Sequence, residues 1–587
     1  MAAAIRILVL ALGVFSNGVI NAQQPPIAGG SDTFKPAFSR PRKPATYFNL
    51  ASQTAPTDAD TDSDLEIRLR ELEQQFEEQR FQYESLQQEL AEAQQAPAVV
   101  PAGPPPRYRV GSNLNMTGVW NNGLEFRTPN RDFYFHVGGR TQVDYVAMNG
   151  SPGGLVNTSS NTAQYQDAVD IRRARLRAEG SMYDICDWSA EFNFVNAVTV
   201  QDPTKAAPQV GAGGIGNDGS NVQVLQNRTF LVINPTDLWW NFRRVPLFGN
   251  VQIGNMKEPF GLERLESSRY LDFMERNFTN DAFISPSANG FAPGIMAWNW
   301  SQNRRMTYAY GIFKNVTNGD AFNIGDGQGE FAGRITYLPW YDEPTNGRNF
   351  MHFGFGGCQR AIDNGLIRYR ARGDLRNGPD ALLTSWADTS YIGGQYQMIV
   401  NPEFMYQRGP LFVQAEYTGN WTTDAIVFPA GTGSNGAPPN GSPSSVPGAR
   451  NVGSLYFWGG YCQVMYFLTG EHRIYDYQKA LVGRVIPIEN AFWVRGRNGR
   501  IFGTGAWQVG YRLNYLDLNQ RGVSGGTLLG NTFALNWFLN PNSKVEFNFD
   551  VMERNASSLT ANTAINSPGT GVQGLIYGFG MRFAADF

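Results

Sequence analysis

The chain has 587 residues and a formal net charge of −3, with only 17% charged residues but 65 glycines and 13% aromatic residues. This composition is typical of many strands joined by turns, and the balanced charge does not favour a nucleic-acid partner. The three cysteines and three histidines are too widely scattered to predict a metal site, a disulfide framework or a catalytic triad, so neither a cofactor nor an enzymatic activity is expected.

Residues 1–22 predict a secretory signal peptide. Arg6 lies in a short positive region, the apolar core ILVLALGVF follows, and Ala22 supplies a small residue at the predicted cleavage site. The apolar core is too short for a membrane span, and no later stretch reaches ~18 apolar residues. An uncleaved interfacial anchor is the alternative. Residues 23–63, rich in Pro, Ala, Ser, Thr and Asp, predict a flexible leader.

Residues 64–95 carry a heptad repeat and predict a coiled-coil helix. The apolar positions recur at alternating steps of four and three residues, with one polar interruption at Gln79. The seam consists of Leu65, Leu69, Leu72, Phe76, Tyr83, Leu86 and Leu90. A helix with one apolar stripe needs partner helices, so we expect self-association; a lone solvated helix, or one lying on a periplasmic or envelope partner, is the alternative. Residues 96–110 predict a Pro-rich linker.

Residues 111–587 alternate apolar and polar side chains with a period of two, which predicts β-strands. In GAWQVGYRLNYLDL (505–518), Trp507 and Val509 share one face, while Gln508 and Arg512 share the other. The predicted fold is all-β: a closed antiparallel transmembrane β-barrel whose apolar face meets lipid and whose polar face lines a watery lumen. The pattern gives about 14 to 18 strands of ~9–11 residues, with short turns at one end and long loops at the other.

The stretch IRRARLRAEG (171–180) holds four arginines within six consecutive positions. An arginine on the lipid face at mid-membrane costs about 2–4 kcal/mol, so Arg173, Arg175 and Arg177 are predicted to face the lumen. Arg172 has the opposite parity and is predicted to lie at a rim or in a loop, unless the strand is bulged at this point. The same test predicts an inward direction for Arg140, Arg334, Arg512 and Arg582.

Six segments, taken in order, resemble segments of the phosphate-selective porin O and P family. They are FHVGGRTQVDY (135–145), IRRARLRAEG (171–180), GNMKEPFGLERLESSRYLDFMERN (254–277), LTGEHRIYDY (468–477), GAWQVGYRLNYLDL (505–518) and NWFLNPNSKVEFNF (536–549). The resemblance covers most of residues 132–587. It implies a trimeric outer-membrane channel of about 16 strands, with an arginine-lined lumen and a central anion site that includes a lysine.

Matching positions place Arg140, Arg172 and Arg173 on the implied anion path. The basic residue after Ser-Ser is lysine in the strictly phosphate-selective members but is Arg269 here, which keeps the charge and changes the donor geometry. That change favours a general anion preference over strict phosphate selectivity. A further basic run, IRYRARGDLR (367–376), holds three arginines of one parity. The predicted anion pathway comprises Arg140, Arg172, Arg173, Arg175, Arg177, Arg269, Arg368, Arg370, Arg372 and Arg512.

The predicted function is passive diffusion of small inorganic anions, with phosphate as one candidate, across the outer membrane of a Gram-negative-type bacterium. A homotrimer in contact with membrane lipids is expected. A general or sugar-type diffusion porin is one alternative, although lumen aromatics are scarce by parity. Little selectivity would result if Asp144, Glu179 and Glu191 neutralised the arginines. A second alternative is a structural protein whose coiled coil tethers envelope layers.

Overall fold

The computed structural model describes most of the predicted barrel region. The described residues are 109–150, 167–195, 197–201, 227–231, 233–284, 290–314, 329–345, 347–376, 385–429, 442–496, 499–556 and 572–587. The signal peptide, the leader, the coiled coil with its seam, and the linker up to residue 108 lie outside the described residues. Those assignments therefore stay predictions.

Sixteen antiparallel strands in the described part of the chain close into one barrel, which confirms the predicted fold. The last strand pairs with the first, from Ile576 opposite Gly150 to Asp586 opposite Arg140. The strands are β1 (Tyr134–Gly150), β2 (Ala168–Met182), β3 (Cys186–Asn193), β4 (Asn234–Val245), β5 (Gly249–Met256), β6 (Ala292–Trp300), β7 (Met306–Lys314), β8 (Gly329–Tyr341), β9 (Asn349–Ala361), β10 (Tyr396–Arg408), β11 (Leu411–Val427), β12 (Arg450–Phe467), β13 (Ala506–Gln520), β14 (Val523–Asn540), β15 (Ser543–Ala556) and β16 (Val572–Asp586).

Strand β13 shows why alternating segments form the barrel wall. Gln508 and Arg512 are fully buried on the lumen side, whereas Val509 is 36% exposed on the outer surface. Polar groups therefore point inward and apolar groups outward, as a barrel surrounded by lipid requires. Aromatic rings pair across strands on the outer surface, where Trp507 stacks on Trp537 with ring centroids 5.0 Å apart.

Short turns join the strands at the end of the barrel that holds Phe587. They are residues 183–185, 246–248, 301–305, 342–348, 409–410 and 541–542. The predicted separation of short turns from long loops has two exceptions. Residues 468–505 form a long connection at the short-turn end, and residues 521–522 form a tight turn at the other end. The family resemblance implies an outer-membrane barrel, whose short-turn end faces the periplasm, and we therefore name residues 468–505 the periplasmic connector.

Smaller elements lie between the barrel strands and before the first one. The short strands are Thr117–Trp120, Leu124–Arg127, Ala197–Gln201, Asn227–Leu231, Leu366–Ala371, Ala387–Gly393, Tyr475–Asp476, Leu481–Val482, Phe492–Gly496 and Gly499–Gly503. The helical turns are an α-helix at Leu262–Leu265, a π-helix at Asn280–Ile284, and 3-10 turns at Glu343–Thr345, Asp363–Gly365 and Pro443–Ser445. Among the described residues, no helix combines the length and apolar character needed to cross a membrane.

Residues 257–284, between β5 and β6, fold into the barrel and are named the lumen loop. Phe260 and Phe283 in this loop are completely buried and belong to an apolar cluster with residues from distant strands. Leu262 shares a second apolar cluster with Tyr475 of the periplasmic connector. The lumen loop and the connector therefore meet inside the barrel and narrow its lumen.

Candidate ion pathway in the lumen

The arginine strand β2 contains a β-bulge. Gln142 of β1 pairs with Arg173, but the next residue, Val143, pairs with Ile171, so Arg172 is left out of the ladder. A bulge re-aims side chains by inserting one residue into the alternation. Arg172 consequently reaches the lumen loop beside its neighbour Arg173. The rim or loop position that strict period-two counting predicts for Arg172 is therefore wrong, and the alternative of a bulged strand describes this position.

Glu275 of the lumen loop forms an ion pair with Arg172, the residue at the bulge. Arg172 donates to both carboxylate oxygens, from Nε at 2.7 Å and from Nη2 at 3.1 Å. Arg582 of β16 donates to the same carboxylate at 3.0 Å and also binds Asp144 at 2.6 and 2.7 Å. Glu275 is only 3% exposed. These contacts tie the lumen loop to β1, β2 and β16 with charge-assisted hydrogen bonds.

Three of the predicted pathway arginines form ion pairs with acids that also lie on the barrel wall. Arg140 and Arg175 both donate to Oε1 of Glu191, at 2.7 and 2.9 Å. Arg177 lies 2.6 Å from the carboxylate of Glu179. The alternative in which acids neutralise the arginines therefore holds for this part of the wall.

A cavity of about 730 Å³ lies between β2, the lumen loop and the periplasmic connector. Four acids line it: Glu179, Asp187, Asp237 and Asp476. Ten basic residues line it: Arg140, Arg173, Arg175, Arg177, Arg243, Lys257, Arg264, Arg276, Arg334 and Lys479. The excess of fixed positive charge attracts anions into the cavity.

Arg173, Lys257 and Arg276 contribute three of these positive charges without an ion-pair partner, because among the described residues no carboxylate lies within 4.0 Å of any of them. Arg173 donates to the amide oxygen of Gln142 at 2.7 Å. Arg276 donates to the backbone carbonyls of Glu263 and Glu266 at 2.9 and 2.8 Å. These contacts orient the guanidinium groups without cancelling their charge.

Lys257 is held by the end of a short helix. Its ammonium donates to the carbonyls of Arg264 and Leu265 and, at 3.0 Å, to that of Glu266, which follow one another at the C-terminus of helix Leu262–Leu265. Unsatisfied carbonyls at a helix C-terminus favour a cation. The helix N-terminus is held by Glu416 of β11, which accepts from the backbone N–H groups of Leu262 and Glu263 at 2.6 and 2.9 Å.

Aromatic side chains also line the cavity. Trp239 and Trp298 are on the lumen side of β4 and β6, and Phe291 adds a third ring. The indole N–H of Trp298 donates to Asn241 at 3.0 Å, which fixes the ring. The expectation that lumen aromatics are scarce is therefore wrong for this cavity, because the adjacent pair Trp239 and Trp240 necessarily places one ring inside.

Arg269, the residue that aligns with the family's lysine, lies near the short-turn end of the barrel. Its Nε is 3.5 Å from the carboxylate of Asp586 and its Nη2 is 3.5 Å from the carbonyl of Gly139, both near the short-turn end. It borders a small separate pocket there and is not among the described residues that line the main cavity. Lys257, twelve positions earlier in the sequence, lines the main cavity.

The second basic run lies in the connection between β9 and β10 and is not part of the sixteen wall strands. Arg368 binds Asp388 at 2.9 and 3.1 Å, and Arg372 binds Asp281 of the lumen loop at 3.0 and 3.2 Å. Arg370 is exposed. The described residues around the main cavity include none of these three. They form a separate basic group, two of whose members hold loops together.

Arg512 also serves to hold the lumen loop in place. It is fully buried, donates to Gln463 at 2.9 Å and to the carbonyl of Glu275 at 2.9 Å, and pairs with Glu263. Its guanidinium lies 4.2 Å from the ring centroid of Phe273. Arg512 faces inward as its parity predicts, but it binds the lumen loop rather than lining the cavity.

The sequence interpretation missed Lys257 and Arg276 because neither lies in an alternating strand. The sequence feature that could have identified them is the family-like segment GNMKEPFGLERLESSRYLDFMERN (254–277), which contains both residues. Only the fold of the lumen loop brings them within the same cavity as Arg173.

The sequence profile of the family described as phosphate-selective porin O and P matches residues 135–579. Porin O of Pseudomonas aeruginosa is 25% identical over 449 residues, which covers 72% of this chain and 84% of that protein. An uncharacterised protein of Caulobacter vibrioides is 25% identical over 448 residues, covering 75% of this chain and 72% of its own length.

A solved anion-selective porin from Comamonas acidovorans is 10% identical, covers 78% of this chain and 100% of its own, and has a TM-score of 0.40. A likeness this remote says nothing about the solute. The family match spans the barrel from β1 to β16, and the closed sixteen-stranded architecture agrees with it. The chain therefore belongs to the phosphate-selective porin O and P family and is an outer-membrane channel.

Proposed function

We propose that the protein conducts small inorganic anions passively through the cavity beside Arg173, Lys257 and Arg276. The observation that carries this proposal is the excess of basic over acidic residues around the cavity, with three cations held by neutral oxygen acceptors. Phosphate is the candidate solute suggested by family membership and by the name of the family.

The conduction mechanism follows from the two kinds of arginine in the lumen. Ion-paired arginines such as Arg140 and Arg175 contribute a weak field, because Glu191 offsets much of their charge. Three cations without a carboxylate partner, Arg173 on β2 and Lys257 and Arg276 on the lumen loop, offer binding sites around the cavity. Each site attracts an anion without enclosing it, and conduction requires binding weak enough for release.

Planar-bilayer recording of the purified protein tests the proposal. In a KCl gradient the reversal potential is expected to report anion preference. The triple variant Arg173→Gln, Lys257→Gln, Arg276→Gln is expected to shift the reversal potential towards that of an unselective pore. Arg521→Gln, an exposed arginine in the turn between β13 and β14, is the matched control and should change nothing. A cation-favouring reversal potential of the unmodified protein contradicts the proposal.

Adding phosphate to the chloride solution separates two degrees of selectivity. If phosphate blocks the chloride current and the triple variant relieves the block, the cavity is a phosphate site. If anion preference is present but phosphate does not block, the channel is a general anion porin. The replacement of the family's lysine by Arg269 favours the second result, whereas Lys257 in the cavity favours the first.

Trp239 and Trp298 favour a second candidate, a diffusion pore for sugars or other organic solutes. Aromatic rings along a pore provide apolar faces on which sugar rings stack. Current block by maltooligosaccharides, relieved by Trp298→Ala but not by Lys257→Gln, would support this candidate over the anion channel.

Export, assembly and the N-terminal region complete the proposal. We infer that residues 1–22 are removed on export, that residues 23–63 form a leader, and that residues 64–95 assemble three copies through a coiled coil joined by the linker 96–110. Sequencing the N-terminus of the mature protein tests the first inference. Deleting residues 64–93 and measuring the oligomeric state tests the third; an unchanged trimer would leave the coiled coil free for an envelope partner.

A further inference from the structure

A small hairpin stands apart from the barrel sheet within the periplasmic connector. Its strands, Phe492–Gly496 and Gly499–Gly503, pair only with each other in the described part of the chain. We name these two strands the connector hairpin. Trp493 is opposite Phe502 and Arg495 is opposite Arg500. Residues directly opposite in an antiparallel pair share a face, so one face carries two aromatic rings and two arginines.

This face is open to solvent in the single chain. Trp493 is 70% exposed and Phe502 is 61% exposed, with their ring centroids 5.7 Å apart. Arg495 and Arg500 are exposed as well. Neither strand, FWVRG or GRIFG, contains an acidic residue. Large exposed aromatic groups beside uncompensated arginines are typical of a binding surface.

The root of the connector hairpin is fixed to the outer surface of the barrel. Phe492 packs edge-on against Trp537, with ring centroids 5.5 Å apart. The indole N–H groups of Trp537 and Trp507 both donate to the carbonyl of Thr504, at 2.7 and 3.2 Å. These two tryptophans belong to the outward-facing side of β13 and β14. The hairpin is thus continuous with the aromatic residues at the periplasmic edge of the lipid-facing surface.

We propose that the connector hairpin docks on the periplasmic leaflet of the outer membrane and that Arg495 and Arg500 bind the phosphates of anionic phospholipids. Tryptophan at a membrane edge places its ring among the headgroups, where apolar and polar surroundings meet, and a neighbouring phenylalanine adds apolar area that can be buried there. Arginine presents a planar donor fork that matches phosphate oxygens. The arrangement places the aromatic pair nearer the barrel wall and the arginine pair towards the tip.

The occupant follows from the position of the hairpin. Its root contacts the surface that lipid covers, and its charge complements an anionic headgroup. A second copy of the chain is the competing occupant, and the experiment below distinguishes the two. The proposal is independent of which solute the lumen conducts.

Fluorescence quenching in vesicles tests the docking. An environment-sensitive fluorophore is attached at Ile501→Cys, on the opposite face of the hairpin, in a chain carrying Cys186→Ala and Cys462→Ala. The matched control carries the probe at Asn303→Cys in the exposed periplasmic turn 301–305. Vesicles of phosphatidylcholine, with or without phosphatidylglycerol, contain a headgroup spin-labelled lipid as quencher.

Quenching is expected to be stronger at position 501 than at position 303 and to increase when phosphatidylglycerol is added. Arg495→Gln with Arg500→Gln is expected to abolish that increase, since each arginine near an anionic surface changes the docked-to-free ratio about fivefold. Trp493→Ser with Phe502→Ser is expected to lower quenching in both lipids. Heat-modified migration in gels shows that each variant retains a folded barrel.

Three results would overturn the proposal. Equal quenching at positions 501 and 303 would show that the hairpin stays in water. Quenching that does not change when phosphatidylglycerol is added, or when the two arginines are substituted, would show that the arginines do not bind lipid headgroups. Energy transfer between probes on different copies, without lipid quenching, would assign the surface to a contact between protomers.

Discussion

Glu275→Gln is expected to release the lumen loop while leaving the barrel closed. The substitution keeps the size of the side chain and removes its charge. In the native protein Glu275 binds Arg172 through two hydrogen bonds of 2.7 and 3.1 Å and Arg582 through one of 3.0 Å. Burial alone would raise the pKa of this carboxyl, but the charges of Arg172, Arg376 and Arg173 hold that pKa well below its ordinary value.

The free energy lost in this variant depends on which hydrogen bonds the partners of Glu275 keep. Removing one member of a buried ion pair costs about 3–5 kcal/mol. The lower end applies here because Arg582 keeps its two hydrogen bonds to Asp144. A loss of about 3 kcal/mol, at 1.4 kcal/mol per factor of ten, raises the undocked fraction of the lumen loop about 10²-fold. The strands β1 and β16 remain paired through their backbones, so the loss is confined to the loop.

Single-channel recording and limited proteolysis measure the release. The variant is expected to show larger and noisier conductance steps and cleavage within residues 257–284 that the unmodified barrel resists. The matched control is Glu343→Gln, which removes the partner of Arg305 in a largely exposed ion pair of 3.0 Å. Exposed pairs contribute about 0–1 kcal/mol, so the control is expected to match the unmodified protein.

Unchanged conductance and unchanged protease resistance in Glu275→Gln would contradict the prediction. Such a result would mean that the apolar packing of Phe260 and Phe283 holds the loop without help from the ion pairs. Complete loss of the folded barrel would also contradict the prediction, because Glu275 is expected to hold only the lumen loop.

Two further predictions concern stability. Burial, reinforced by Asp272 and opposed by Arg473, raises the pKa of Glu266 to about 8 from an ordinary value of 4.5. The folded protein therefore retains a proton that the unfolded chain loses, and stability falls as the pH rises between these values. Glu266→Gln is expected to raise Tm by a margin that grows from pH 5 to pH 8; a margin independent of pH would contradict the assignment. Gly254→Ala is expected to destabilise β5 by about 1–3 kcal/mol, because φ is +134° and the new Cβ would lie 2.3 Å from the carbonyl of Leu238. The same substitution at Gly333, where the nearest atom would be 3.5 Å away, should leave the unfolding midpoint unchanged.

The alternation of the sequence was sufficient to predict the barrel and the inward direction of Arg140, Arg512 and Arg582. The alternation is a local property, because the position of a residue along its strand gives the face on which its side chain lies. The free-energy cost of an arginine in lipid then assigns the arginine-bearing face to the lumen. The same local rule failed at Arg172, because a bulge depends on how β2 pairs with β1. The composition of the strand alone does not show where the extra residue is inserted.

The charge state of the lumen could be determined only by the tertiary structure. Glu191 meets Arg140 and Arg175 across three strands, whereas Lys257 and Arg276 come from a loop whose path depends on packing inside the barrel. An arginine contributes to anion attraction only when no carboxylate lies beside it, and residues far apart in the chain decide that. The alternating pattern of side chains was enough to predict the channel wall and the sign of many charges along it, whereas the path of the lumen loop sets which of those charges an anion meets.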